Sequence, residues 1–140
     1  MAEHLPTHAE LSRFLRDAFP QTRVSIEQIE PREVVVAHAI GEGELRPGGT
    51  VSGPVMMAVA DVALYVAVLA RIGLVPLAVT TNLSINFLRK PRADRRLLGR
   101  CRLLKLGRTL AVGEVTLYSE GEDEPVAHAT GTYAIPRERG

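Results

Sequence analysis

The chain has 140 residues, 46% of them hydrophobic and 24% charged, which excludes tandem domains and intrinsic disorder and leaves one soluble domain with its own core. Seventeen Lys and Arg stand against sixteen Asp and Glu, and a net charge of +1 is too weak a field to make nucleic acid the default partner. The single cysteine, Cys101, excludes an intramolecular disulfide and a cysteine-based metal cluster and fits a reducing compartment. The opening MAEHLPTHAE carries neither the basic nor the apolar region of a secretory signal, so a cytoplasmic location is expected.

The first element is a short amphipathic helix over about residues 7–19. Thr7 and Glu10 have capping-box spacing, Leu11, Phe14, Leu15 and Ala18 recur on one face, and Pro20 ends the run. Residues 24–40 turn β-branched, with a turn at Glu30-Pro31-Arg32-Glu33, which predicts two strands or one interrupted strand. A glycine-bearing loop, 41–53, leads into PVMMAVADVALYVAVLA. Its initial Pro54 and its closing Arg71 and Gly73 predict a helix over about 54–72. This helix is short for a membrane span and charged at its centre; an all-round apolar helix in a small soluble protein must instead be wrapped by other elements.

The wrapping follows. Residues 77–88 alternate with period two, and three further strand-like runs, 97–104, 111–119 and 126–135, are separated by Gly107-Arg108 and by the acidic turn 120–124. The fold class is therefore α+β, a curved antiparallel sheet around a long central helix, in a single domain.

Asp61 is the residue that carries chemistry. An ionisable group in the middle of an apolar helix must find a partner or change its proton affinity, and a carboxylate so placed makes a general base or a nucleophile. Its alternative is a structural role, satisfying a neighbouring backbone or a solvent-facing stripe. The approach to the helix, Arg46-Pro47-Gly48-Gly49-Thr50-Val51-Ser52-Gly53-Pro54, offers unpaired N–H groups to a developing oxyanion. Pro54 has no donor, which leaves the amide of Gly53 or of Val55. Gly53 and Asp61 lie eight residues apart, about 12 Å along a helix. One chain cannot easily bring both to one carbonyl, whereas two antiparallel helices related by a twofold axis can, so a dimer or larger assembly is expected.

These residues resemble the hotdog-fold acyl-CoA thioesterases, in particular the PaaI-like group of phenylacetate-pathway type. The likeness rests on Gly49, Gly53 and Asp61 with Ala-Asp-Val-Ala at 60–63, on NLSINFLRKP at 82–91, on GRTLA at 107–111 and on ATGTY at 129–133, over roughly residues 34–135. The resemblance implies a hotdog fold, pairing into homodimers and often homotetramers, and hydrolysis of an acyl-CoA to a free acid and coenzyme A without a cofactor or metal. It further implies that Asp61 is the catalytic carboxylate, that the Gly53 amide polarises the thioester carbonyl, and that Thr80 helps to position water or carboxylate. Arg46, Ser52 and Pro54 stand where many relatives carry Asn, His and Gly. Arg46, if it points inward, could pair with Asp61 and weaken it as a base. These departures keep open the alternative of a non-catalytic acyl-CoA-binding or scaffold protein of the same fold.

Nine basic residues fall between Arg89 and Arg108, opposed within that stretch only by Asp94. Arginine forks match phosphate oxygens, so the stretch could hold coenzyme A; it contains no aromatic residue on which bases could stack, which argues against nucleic acid. Arg46, Ser52, Arg89, Lys90 and Arg108 are the candidate substrate contacts. Ala58, Ala60 and Ala63 are expected to leave room for substrate near the helix. His4 and His8 have helical metal spacing but no third ligand, His38 and His128 read as packing or surface residues, and Cys101 reads as a buried structural thiol. No Gly-x-Ser-x-Gly elbow is present, which removes support for a serine hydrolase.

Overall fold

A computed structural model of the chain describes residues 5–136. Helix α1 spans His8–Ala18 and opens on the expected capping box, with the Glu10 amide donating to Thr7 Oγ1 at 3.1 Å and the Thr7 amide donating to Glu10 Oε1 at 2.9 Å. It buries Leu11 and Leu15 against the rest of the domain. Strands β1 (Val24–Glu30) and β2 (Glu33–His38) form a hairpin through Pro31 and Arg32, so the β-branched segment is two strands.

The glycine-bearing loop is more ordered than its composition suggests. A 3₁₀ turn over Glu42–Glu44 leads into a miniature hairpin of β3 (Leu45–Arg46) and β4 (Thr50–Val51), closed by Gly48 at φ 95° and Gly49 at φ 75°. Only glycine takes such angles without strain, which accounts for the pair. The buried Glu44 side chain anchors the loop by accepting from the Gly41 amide at 2.7 Å and pairing with Arg23 at 3.3 Å.

Helix α2 spans Gly53–Ile72, capped by Ser52 and ended by Gly73 at φ 103°. Its 20 residues and a window of mean hydropathy 2.0 are sufficient to cross a bilayer, so length alone does not exclude a span. The surroundings supply another home for its apolar surface, because every residue from Ala63 to Leu69 is buried within the domain. The first half is enclosed on one side only, and Met57 and Ala58 are exposed.

The sheet that wraps α2 has six antiparallel strands in the order β1-β2-β6-β7-β8-β5, completed by β5 (Val79–Phe87), β6 (Leu97–Leu106), β7 (Leu110–Ser119) and β8 (Ala127–Ala134). This is the α+β architecture expected from the element order, a curved antiparallel sheet around a long central helix, and it agrees with the hotdog fold that the resemblance implies. Strand β5 is an edge, and its simple alternation does not survive. A one-residue shift in its pairing with β8, between Thr80 and Asn82, leaves Thr81 as a bulge. Ahead of the bulge Thr80 turns toward α2; beyond it Leu83 and Ile85 pack on the core.

Candidate active site

Asp61 lies on the half-enclosed side of α2, where the carboxylate meets two strands. Thr80 Oγ1 of β5 donates to Asp61 Oδ1 at 2.5 Å, and the Tyr133 hydroxyl of β8 donates to the same oxygen at 3.0 Å. Thr80 and Tyr133 are direct cross-strand partners, so sheet register delivers both donors to one point. A charge half removed from water thus has hydrogen bonds rather than an ion pair to support it. Arg46 is exposed on β3 and makes no ion pair among the described residues, so it does not pair with Asp61.

The carboxylate borders a cavity of about 570 Å³. Phe19 just after α1, Ala58, Val62 and Tyr65 of α2, Leu77 ahead of β5 and Val79 at its start give it an apolar wall, with Asp61, Thr80 and Tyr133 as polar groups. Phe19 and Tyr65 meet edge-on at 5.4 Å, and Tyr65 and Tyr133 lie 6.0 Å apart. Burial raises both tyrosine phenols above their ordinary range, so they remain protonated donors at neutral pH. Of the three alanines expected to leave room, only Ala58 borders this space; Ala60 and Ala63 are packed in the core.

The helix N-terminus makes a separate cluster. Ser52 Oγ accepts from the Val55 amide at 3.3 Å, so the cap occupies that donor, and Pro54 has none. Gly53 is left with the available amide. The Phe87 ring packs against it, 3.4 Å from where a Cβ would stand. Arg89 and Lys90 lie just beyond Phe87, at the end of β5 remote from Thr80, and both the Leu88 and Arg89 amides donate to the Val126 carbonyl. Arg108 occupies the β6–β7 turn, which lies near Tyr133 because Ala111 pairs with Tyr133. The fold therefore brings Asp61 and Thr80 together and places Arg108 near that end, while Gly53, Ser52, Arg89 and Lys90 gather at the other.

Much of the basic stretch is neutralised across the sheet. Arg89 pairs with Glu124, Arg92 with Asp94 and Glu122, Arg96 with Glu27 and Glu120, Arg100 with Glu33, and Arg102 with Glu114. Lys90 and Arg108 make no ion pair among the described residues. No group of three potential metal-ligating side chains occurs among those residues; His4 lies outside them, and His8 Nε2 contacts the Ile26 carbonyl at 2.8 Å. Cys101 is fully buried, and burial, with Glu114 nearby, pushes its thiol up to about 12.

Tyr133 is the site residue that sequence reasoning missed. It belongs to the ATGTY stretch, but only its pairing with Thr80 reveals that it reaches Asp61.

Comparison with known proteins places these features in a family. The model of the thioesterase superfamily matches residues 48–126, a span that holds Gly53, Asp61 and Thr80 and stops short of Tyr133. Among solved structures, the chain is similar to a Silicibacter protein assigned as a thioesterase, at 51% identity and a TM-score of 0.88 over 96% of this chain and 94% of that one. It is similar at 27% identity to a point mutant of the phenylacetic acid degradation protein PaaI from Thermus thermophilus, with a TM-score of 0.71 over 89% and 99% of the two chains. A Streptococcus mutans protein bound to acetyl-CoA is 26% identical, with a TM-score of 0.70 over 86% and 94%. No curated protein matches the chain. With more than half its length matched by the family model, this chain belongs to the thioesterase superfamily and is a hotdog-fold thioester hydrolase.

Proposed function

We propose that the protein hydrolyses acyl-CoA thioesters and that Asp61 is its catalytic carboxylate. One observation carries the reading: an α2 carboxylate, oriented by Thr80 and Tyr133, borders an apolar cavity large enough for an acyl group. The coenzyme A part rests on similarity to the acetyl-CoA-bound Streptococcus mutans protein. As a general base, Asp61 takes a proton from water as the water oxygen attacks the carbonyl carbon. The tetrahedral oxyanion is stabilised by the Gly53 amide at the positive end of α2; its collapse expels the thiolate, which takes up a proton as coenzyme A, and leaves the free acid. As a nucleophile, Asp61 attacks the carbonyl carbon and expels the coenzyme A thiolate to form a mixed anhydride, which water then opens to the free acid and the regenerated carboxylate. Both routes use the same carboxylate.

The unit that does this is a homodimer, alone or paired again into a homotetramer. In one chain Gly53 is about 12 Å along the helix from Asp61. Strand β5 is an unpaired edge with exposed apolar side chains at Val79 and Phe87, and the adjoining half of α2 is open. Antiparallel pairing of two β5 strands about a twofold axis near Leu83 sets the Gly53–Phe87 end of one copy beside the Asp61–Thr80 end of the other.

The test is thiol release from a panel of acyl-CoAs of varied chain length and aromaticity, with equilibrium binding in parallel. Hydrolysis by the wild type and a loss of about a hundredfold to ten-thousandfold at saturating substrate in Asp61→Asn are expected. Tight binding without turnover assigns the chain to the acyl-CoA-binding alternative; wild-type turnover in Asp61→Asn makes Asp61 structural.

A further inference from the structure

The two oxygens of the Asp61 carboxylate have different surroundings. Oδ1 accepts from both Thr80 and Tyr133, whereas Oδ2 accepts from no side chain among the described residues. No buried side-chain oxygen in the described part of the molecule lacks a partner, so Oδ2 is not sealed inside the protein. Asp61 lines the cavity, and Oδ2 is the oxygen left to meet what enters it.

Tyr133 is well built to hold this arrangement. Its side chain is 3% exposed, its ring packs with Tyr65, and its place opposite Thr80 is set by the β5–β8 register. The hydroxyl also lies 3.3 Å from the Asp61 backbone carbonyl, close to the helix as well as to the side chain. Two donors fixed on Oδ1 restrict rotation of the carboxylate and direct the second oxygen outward.

The geometry points to Tyr133 as a positioning residue for the hydrolysis, holding Asp61 through Oδ1 so that Oδ2 is the working oxygen. Oδ2 then takes the proton of the attacking water or, in the nucleophilic route, forms the new bond to the carbonyl carbon. The inference rests on the assignment of Asp61 made above and adds a residue beyond the stretch matched by the family model. It also accounts for a tyrosine, rather than a phenylalanine, on a buried strand face: a buried hydroxyl needs a partner, and this one has the carboxylate.

The titratable groups lining the cavity are Asp61, Tyr65 and Tyr133, while α1 contributes only Leu15 and the residue after it Phe19, followed by Gln21 and Thr22. Both tyrosines stay protonated, so Tyr133 is available to donate to Oδ1 at neutral pH.

The decisive variant is Tyr133→Phe, which keeps the ring and removes the hydroxyl, measured beside Asp61→Asn with the acyl-CoA of the panel that the wild type hydrolyses fastest. Expected for Tyr133→Phe is a fall in kcat on the order of tenfold to a hundredfold, the size of effect that misplacement of a reacting group produces. KM should stay within about twofold. A second variant carries 3-fluorotyrosine at position 133. Its more acidic phenol donates more strongly and should change kcat at unaltered KM with the ring in place, and it supplies the measurement if the phenylalanine variant fails to fold. An inactive Asp61→Asn beside unaltered kcat in the position-133 variants overturns the role of Tyr133 and spares that of Asp61. An active Asp61→Asn overturns both.

Discussion

Gly113 of β7 and Gly131 of β8 face each other across the sheet, and Leu64 of α2 rests on both. A Cβ at Gly113 would stand 2.7 Å from Leu64 Cδ2, and one at Gly131 would stand 2.5 Å from Leu64 Cδ1. In β6, a Cβ at Gly99 would stand 2.9 Å from Val59 Cγ1. Three strands thus lower their surface where the helix crosses, and α2 sits closer to the sheet than side chains would permit. Gly113→Ala and Gly131→Ala are each expected to destabilise the fold by about 1–3 kcal/mol through overpacking. Gly43→Ala, which meets nothing within 4 Å, should be near neutral. Urea midpoints at constant slope read the difference, and equal midpoints for all three would disprove the close fit.

Gly53 and Asp61 acting across two chains has a measurable signature. Gly53→Pro removes the proposed oxyanion donor at a helix position that tolerates proline, and Ser52 already has the extended backbone that a following proline requires. Alone it should lower kcat on the order of a hundredfold to a thousandfold. Refolded one to one with Asp61→Asn, it forms mixed dimers that keep one intact site, so about a quarter of wild-type activity should return. No recovery in mixtures shown by mass spectrometry to contain mixed dimers would place both groups in the same chain.

The basic residues should not contribute alike. Lys90 and Arg108 are unpaired among the described residues, whereas Arg89 already pairs with Glu124 at 2.5 Å. Lys90→Ala and Arg108→Ala are expected to raise KM for acyl-CoA by about twofold to fivefold, the effect of an exposed charge contact, with kcat unchanged. Arg89→Ala should do less, and all three effects should fade at high salt. A short thioester without the nucleotide should show no change; the same change with both substrates would mean that these side chains do not contact coenzyme A.

Cys101 is expected to resist thiol reagents in the native protein. It is fully buried on β6, and its thiol is pushed up to about 12, first by desolvation and then by the charge of Glu114. At pH 8 the reactive thiolate is therefore scarce. An aromatic disulfide reagent should label it only at the rate of unfolding, tracked by mass spectrometry in increasing urea. Rapid stoichiometric labelling in buffer would show an opening of the sheet at β6. The same protection means that thiol released during turnover counts coenzyme A alone.

The elements read most clearly in sequence are those whose signals are local. The Thr7–Glu10 capping box, the turn at Pro31-Arg32, and the ends of α2 marked by Pro54 and by Arg71 and Gly73 depend on residues within one or two turns of each other. What sequence conceals depends on register between distant segments. Tyr133 reaches Asp61 across 72 positions, and Arg96 finds Glu27 across 69, so neither the second donor nor the neutralisation of the basic stretch has a local mark. The β3–β4 hairpin escaped for a different reason: strands of two residues are too short to show alternation.

The bulge at Thr81 divides β5 into two functional territories. Residues ahead of it face the cavity and the carboxylate, while those beyond it face the hydrophobic core and the start of α2. Substitutions at Leu77 and Val79 can therefore reshape what the pocket accepts without disturbing the packing made by Leu83 and Ile85. A single-residue deletion at Thr81 would erase that boundary and rotate one territory out of place, so this strand should tolerate exchanges of residue type far better than changes in its length.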